Sequence, residues 1–268
     1  MTAEHILDDR PRIPPVHRMA NKVPEVTVYF WIIKVLTTGM GETASDLLAR
    51  LLGPVPAVAL GGLALVASLA VQFALRRYVA WAYWTAVVMV SVFGTMAADV
   101  LHVGLGVPYA VSTPAFLAVL AMVFVLWYAS ERTLSIHSIG TRRREAFYWA
   151  AVLATFALGT AAGDLTATTG FGYLGSVVLF TAAICVPALA HRFGALGAVA
   201  AFWTAYVVTR PLGASLADWM ALGRTRGGLG LGLAPVTLAW TVAIIGFVGY
   251  LAVTRRDTDA APGSSRAF

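Results

Sequence analysis

Charge is scarce in this chain. Asp, Glu, Lys and Arg make up 12% of its 268 residues, about half of the roughly 25% typical of a soluble globular domain. Cysteine is nearly absent as well. The single Cys185 excludes an internal disulfide and any Cys-based zinc site. So few polar residues cannot cover a water-exposed surface, which excludes a soluble enzyme, a disordered regulator and a secreted disulfide scaffold. Hydrophobic residues fill 59% of the chain, and its mean hydropathy is +0.77. This composition predicts an all-α polytopic membrane protein.

Four apolar runs carry no charge: Val55–Leu75, Val111–Ala129, Tyr173–Ala190 and Leu231–Thr254. Each is long enough to cross a hydrocarbon core of ~30 Å. Four others are mostly apolar but charged: Val26–Leu48, Ala80–Val103, Ala146–Thr168 and Leu196–Leu222. The two kinds alternate, predicting eight transmembrane helices. Short runs of dyad alternation, the mark of a membrane β-barrel, do not occur.

Basic residues set the expected orientation. Fourteen Lys and Arg residues flank one side, among them Lys22, Arg76, Arg77, Arg142–Arg144 and Arg255, and only Arg50, Arg224 and Arg226 flank the other. Both termini are therefore expected in the cytoplasm. Basic residues scattered at helix ends retain loops rather than bind nucleic acid. Residues 1–22 read as a polar cytoplasmic segment without the apolar core of a signal peptide. Residues 255–268 read as a disordered tail.

Self-comparison finds one pattern four times, [FY]-W-x9-G-x4-D. It runs through Phe30-Trp31, Gly41 and Asp46; Tyr83-Trp84, Gly94 and Asp99; Tyr148-Trp149, Gly159 and Asp164; and Phe202-Trp203, Gly213 and Asp218. Each repeat pairs one charged span with one apolar span, over approximately residues 23–76, 77–129, 145–192 and 195–254. Two crossings return the chain to its starting side, so all four units point the same way, with a pseudo-symmetry axis along the membrane normal. That differs from inverted-repeat transporters.

With its repeated Trp, its opening Asn21-Lys22-Val23-Pro24-Glu25-Val26-Thr27 and its Gly41-Glu42-Thr43, the chain resembles a bacterial integral-membrane family. That family is built from four tandem repeats of unknown function, each with two transmembrane regions and a characteristic Trp. The likeness covers Asn21–Thr254. It implies the repeat architecture and an inner-membrane location, and brings no substrate or catalytic residue.

Each motif position admits two readings. Trp31, Trp84, Trp149 and Trp203 are either interfacial anchors or a ring closing a central cavity. Gly41, Gly94, Gly159 and Gly213, ~15 Å further along their helices, either allow close packing or break the helix to expose carbonyls. Asp46, Asp99, Asp164 and Asp218 either cap helices or form a site. Spacing by four puts Lys34, Thr38, Glu42 and Asp46 on one face. Thr95 precedes Asp99, Thr160 precedes Asp164 and Arg210 precedes Asp218 at the same offsets or multiples of them. The economical arrangement turns these faces inward and leaves the charge-free spans to lipid.

Five acids in the spans face only Lys34 and Arg210. Intramembrane charge costs ~2.5–3.5 kcal/mol per residue at mid-bilayer, so the acids are expected to bind protons or a cation. Lys34 and Arg210 either neutralise Glu42 and Asp218 or compete with a cation for them. Oxygen ligands suit Mg²⁺ or Mn²⁺, with Glu42, Asp46, Asp99 and His102 as the candidate metal set, although a lone His there is more simply a loop residue. A Schiff base on Lys34 is a remote alternative.

The expected function is secondary transport or export of a cation, divalent or proton-coupled. The alternative is a membrane scaffold or sensor partner with a structural polar core. No catalytic signature points to an enzyme, and no motif requires a cofactor beyond a bound divalent cation. Homo-oligomerisation stays open.

Overall fold

The computed structural model describes residues 21–258, apart from the side chain of Val103. Residues 1–20 and 259–268, including Arg10, Arg12, Arg18 and most of the expected disordered tail, lie outside the described residues. Eight α-helices follow one another: α1 Val28–Leu52, α2 Pro54–Ala74, α3 Ala80–Asp99, α4 Tyr109–Glu131, α5 Arg142–Thr166, α6 Gly172–Arg192, α7 Ala198–Ala221 and α8 Leu233–Thr254. No strand occurs among the described residues. π-helical turns follow α3 at Val100–Gly104 and α5 at Ala167–Phe171, and the second makes the helical path continuous from Arg142 to Arg192 through a kink at Thr169 and Gly170.

Local chemistry sets several boundaries. Thr27 caps α1 by accepting from the Phe30 amide at 3.4 Å, and Thr141 caps α5 by accepting from the Arg144 amide at 3.2 Å, each satisfying an amide with no intrahelical partner. Gly53, at φ 84°, turns the chain sharply between α1 and α2, with Pro54 pre-set to start the next helix.

The charged helices form a closed cycle. α1 packs on α3 and α7, and α5 packs on the same two. The apolar helices surround them in a regular shift: α2 rests on α3, α4 on α5, α6 on α7 and α8 on α1. Large exposed side chains such as Leu63, Val66, Val125, Val178, Val242 and Ile245 stand on these outer helices. Such an apolar belt suits lipid rather than water. Five helical segments are long and apolar enough to cross a membrane: Pro54–Ala74, Ala80–His102, Tyr109–Glu131, Arg142–Arg192 and Leu233–Thr254. The protein is therefore of multi-pass membrane type. α1 and α7 have spanning length but carry Lys34, Glu42, Asp46, Arg210 and Asp218 on buried or half-buried positions.

The four motif glycines do not break their helices, which run unbroken through all of them. They are contact points. A Cβ on Gly41 would stand 1.8 Å from Ser91 Oγ, one on Gly94 2.7 Å from Phe156 Cβ, one on Gly159 2.3 Å from Arg210 Cγ, and one on Gly213 1.8 Å from Thr38 Oγ1. Each glycine thus receives the residue seven after the Trp in the next repeat, and the fourth receives that of the first. Small residues let helices approach where lipid supplies no hydrophobic drive. The helix breaks expected from sequence lie elsewhere, in the π-helical turns just past Asp99 and Asp164.

Candidate functional site: the polar axis

The inward faces of α1, α3, α5 and α7 meet in registers four residues apart, about 6 Å of helix rise each. Three residues after each Trp stand Lys34, Val87, Val152 and Tyr206. Seven after stand Thr38, Ser91, Phe156 and Arg210. Eleven after stand Glu42, Thr95, Thr160 and Ala214. Fifteen after stand the four aspartates.

Arg210 joins all four repeats. Its Nη2 donates to Glu42 Oε2 at 2.7 Å, to Thr160 Oγ1 at 2.7 Å and to Thr95 Oγ1, while Nη1 donates to the Thr38 carbonyl at 3.2 Å. Thr38 in turn donates to the Val35 and Thr209 carbonyls. The guanidinium is fully buried and Glu42 nearly so. Arginine suits the place because its planar fork offers several fixed donors and keeps its charge. The expected pairing of Arg210 with Asp218 and of Lys34 with Glu42 does not form. Arg210 takes Glu42, one register further along on the neighbouring helix, because α1 packs directly on α7.

Lys34 has no acid at all. Its fully buried Nζ donates to no side chain or carbonyl among the described residues and sits 4.0 Å from the Phe156 ring centre and 4.1 Å from that of Tyr206. Arg210 lies over the other part of the same Phe156 ring at 5.3 Å.

The aspartates do come together. Asp99 and Asp218 each interact electrostatically with Glu42, Asp46 and Asp164 and with Arg210, and Asp46 also with Arg50 and Arg226. Asp218 is buried and the other three are half-buried. No described ion pair includes any of the four. Tyr109 at the start of α4 faces Asp164 and Asp99, and Tyr173 at the start of α6 faces Asp218.

The candidate metal set does not form. His102 lies in the π-helical turn, with Nδ1 3.1 Å from the Val107 carbonyl, Nε2 3.4 Å from Ser112 Oγ and its ring tilted against that of Tyr109, with ring centres 4.0 Å apart. Glu42 is committed to Arg210. Among the described residues no group of three or more His, Cys, Asp or Glu is placed to hold a metal ion.

A family model described as a repeat of unknown function (DUF347) matches the chain four times, over residues 29–78, 82–133, 147–194 and 201–257. The chain belongs to this family. No curated protein and no solved structure matches it.

The aromatic pair that opens each DUF347 repeat is a lock between repeats rather than an interfacial belt. Phe30 packs on Trp84 at 5.6 Å, Tyr83 on Trp149 at 5.6 Å, Tyr148 on Trp203 at 6.1 Å and Phe202 on Trp31 at 5.8 Å. Trp84, Trp149 and Trp203 are buried, so the anchor reading fails for them. In the first three repeats the residue before the Trp is the more deeply buried of the pair, whereas in the fourth Phe202 is half-buried and Trp203 is buried. The Tyr83 and Tyr148 hydroxyls hydrogen-bond to each other, and the Tyr206 hydroxyl lies beside Tyr148 at poorer geometry.

Two contacts at the end where the termini meet were not foreseen. Lys22 is no loop charge: its Nζ is buried, 2.7 Å from Glu145 Oε2 and 3.3 Å from the Phe73 carbonyl, and Gln72 donates to Glu145 Oε1 at 3.3 Å. The start of the expected disordered tail is docked, since Asp257 accepts from the Tyr78 hydroxyl and its carbonyl accepts from the Glu25 amide at 2.9 Å. Burial raises the Asp257 carboxyl above the usual carboxylate range, and burial together with Asp257 raises the Tyr78 phenol. Nothing in the spacing of Lys22, Glu145, Tyr78 and Asp257 marks them as partners. Only the closed ring of repeats brings them together.

Proposed function

We propose that this protein is a secondary transporter of a small cation, recognised at the aspartate end of the axis. In this reading all eight α-helices cross the membrane as four parallel-oriented hairpins, pseudo-symmetric about the membrane normal. Both termini lie in the cytoplasm, the membrane being the inner membrane of a bacterium, and the aspartates face outward. The observation that carries the reading is the electrostatic convergence of Asp46, Asp99, Asp164 and Asp218, none of them in an ion pair among the described residues, with Arg210 acting on three of them and Arg50 and Arg226 on Asp46 only at longer range. Clustered carboxylates without a counter-charge repel one another unless a positive guest or protons join them. Half-buried oxygens without a fixed ligand set favour a hydrated ion such as Mg²⁺ or Mn²⁺, which keeps several waters when bound. Arg210 then marks the barrier, since it fills the axis between the aspartates and the aromatic lock and must move or release Glu42 for passage.

The saturation of Arg210 by Glu42, Thr95, Thr160 and Thr38 also supports a second reading, a non-transporting scaffold whose polar core is structural glue. Flux separates the two. Proteoliposomes holding the purified protein are expected to take up Mn²⁺ or Mg²⁺ down a gradient, and Asp99→Asn with Asp164→Asn should abolish uptake while leaving the protein monodisperse. Uptake no greater than in empty liposomes favours the scaffold.

A further inference from the structure

The end of the molecule where the termini meet holds a cavity of about 460 Å³ that the transport reading leaves unused. It lies between the lead-in to α1, the start of α3 and the end of α8. Arg77, from the connection between α2 and α3, and Arg255, just past α8, both line it. Neither side chain has an ion-pair or hydrogen-bond partner among the described residues. The acids that share the cavity are engaged within the chain. Asp257 is buried and accepts from the Tyr78 hydroxyl, and Glu25 Oε2 stands 3.5 Å from His137 Nε2. The cavity also borders the first turn of α3, where Val79 in the cap position offers no side-chain acceptor. The amides there that lack an intrahelical partner add partial positive charge.

The helices that frame the cavity set its depth in the bilayer. The membrane-length segments Ala80–His102 and Leu233–Thr254 begin and end beside it. Arg77 and Arg255 therefore stand just outside the hydrocarbon, and Trp81, Leu251 and Ala252 just inside it. Trp81 is 54% exposed and is the one exposed tryptophan among the described residues. A Trp exposed at the end of a span favours the headgroup level. A soluble anion would use the arginines and ignore the apolar wall beneath them. A molecule with an anionic head and an apolar body uses both.

We propose that this cavity binds one anionic phospholipid, its phosphate between Arg77 and Arg255 and its glycerol end against Trp81, Leu251 and Ala252. One arginine precedes α3 and the other follows α8, so a phosphate held by both ties the last helix to the first half of the chain, beside the contact of Tyr78 with Asp257. The site stands whether or not a cation crosses the axis.

Native mass spectrometry of the full chain, titrated in non-ionic detergent with dioleoyl phosphatidylglycerol or dioleoyl phosphatidylcholine, tests it. Both lipids carry a phosphate, but only the first carries net negative charge. Wild type is expected to bind a first phosphatidylglycerol more tightly than any later one and more tightly than phosphatidylcholine. Arg77→Gln/Arg255→Gln should weaken that first binding by about 30-fold, the joint effect of two basic residues at a membrane surface. Arg77→Gln alone leaves the end of α8 untouched and should weaken it about 5-fold, so the test survives if the double variant folds poorly. Arg142→Gln/Arg192→Gln removes two exposed arginines from the same end but away from the cavity, and should leave the first binding unchanged. First-site affinity equal to wild type in the folded Arg77 variants overturns the proposal, as do equal losses in the two double variants or equal affinity for phosphatidylcholine. Displacement of the lipid by glycerol 3-phosphate or inorganic phosphate at the lipid's own concentration would give the arginines to a soluble phosphate and overturn it as well.

Discussion

The two ends of the axis apply one fourfold repeat to opposite purposes. Near the termini, each repeat sets an aromatic ring against the Trp of the next, unlike surface against unlike surface, and the cycle closes from Phe202 to Trp31. At the far end the repeat brings four identical side chains to one level, like charge against like charge. A cyclic arrangement satisfies the first kind of contact within the chain. It cannot satisfy the second, which the chain eases only at a distance, through Arg210 and, at Asp46, Arg50 and Arg226. Arg210 and Glu42 stand at the boundary, where the repeats stop being equivalent: Thr38, Ser91 and Phe156 hold the Arg210 position elsewhere, and Thr95, Thr160 and Ala214 hold that of Glu42.

The comparison breaks most easily at that boundary. Arg210→Met strands Glu42 among the threonines and should cost about 3–5 kcal/mol, as removing one partner of a buried pair does. Tryptophan fluorescence melts would show it, and Arg210→Met combined with Glu42→Met should recover most of the loss. In the locked part, Gly159→Ala forces a methyl onto Arg210 and Pro211, and Gly213→Ala forces one onto Thr38. Each should cost about 1–3 kcal/mol by overpacking. The aspartate end should behave in the opposite way. Asp164→Asn removes a like charge and should leave the melting temperature unchanged or slightly raised, and any stabilisation of wild type by Mn²⁺ or Mg²⁺ should shrink. A melting temperature that falls as far as in Arg210→Met would mean that the two ends obey one rule.

The smallest effect concerns the Asp257 latch. Its carboxyl is raised by burial, so the docked state holds the proton more tightly than the free chain does. That contribution is full below the ordinary carboxylate pKa and fades as pH rises through the raised value. Amide exchange of residues 255–258, corrected for intrinsic rate, should therefore gain protection on acidification.

Lys34, Thr38 and Glu42 lie on one buried face of α1 because spacing by four is a local property of a helix. The repeat pattern also placed the four aspartates at one level, since equal spacing from an equivalent start gives equal depth. What stayed hidden was the identity of neighbours across the ring. Lys34 and Glu42 lie two turns apart on one face of α1, which suggests partners, yet Glu42 is claimed by an arginine 168 residues away. The tryptophans read as interfacial anchors because position near a span's end says nothing about which way a ring points. The glycines permitted both packing and unwinding until Ser91, Phe156, Arg210 and Thr38 were found against them. Lys22 looked like one of many topogenic charges, and only its burial beside Glu145 sets it apart.

The bond between Glu42 and Arg210 also has a history in time. At ~5–20 residues per second, a ribosome needs on the order of ten seconds or more to make the chain between them. The nascent first hairpin must carry its acid uncompensated until the final one arrives. A chain that stops before α7 leaves Glu42 without its arginine, so the first hairpin reaches its final contacts only once the last has docked.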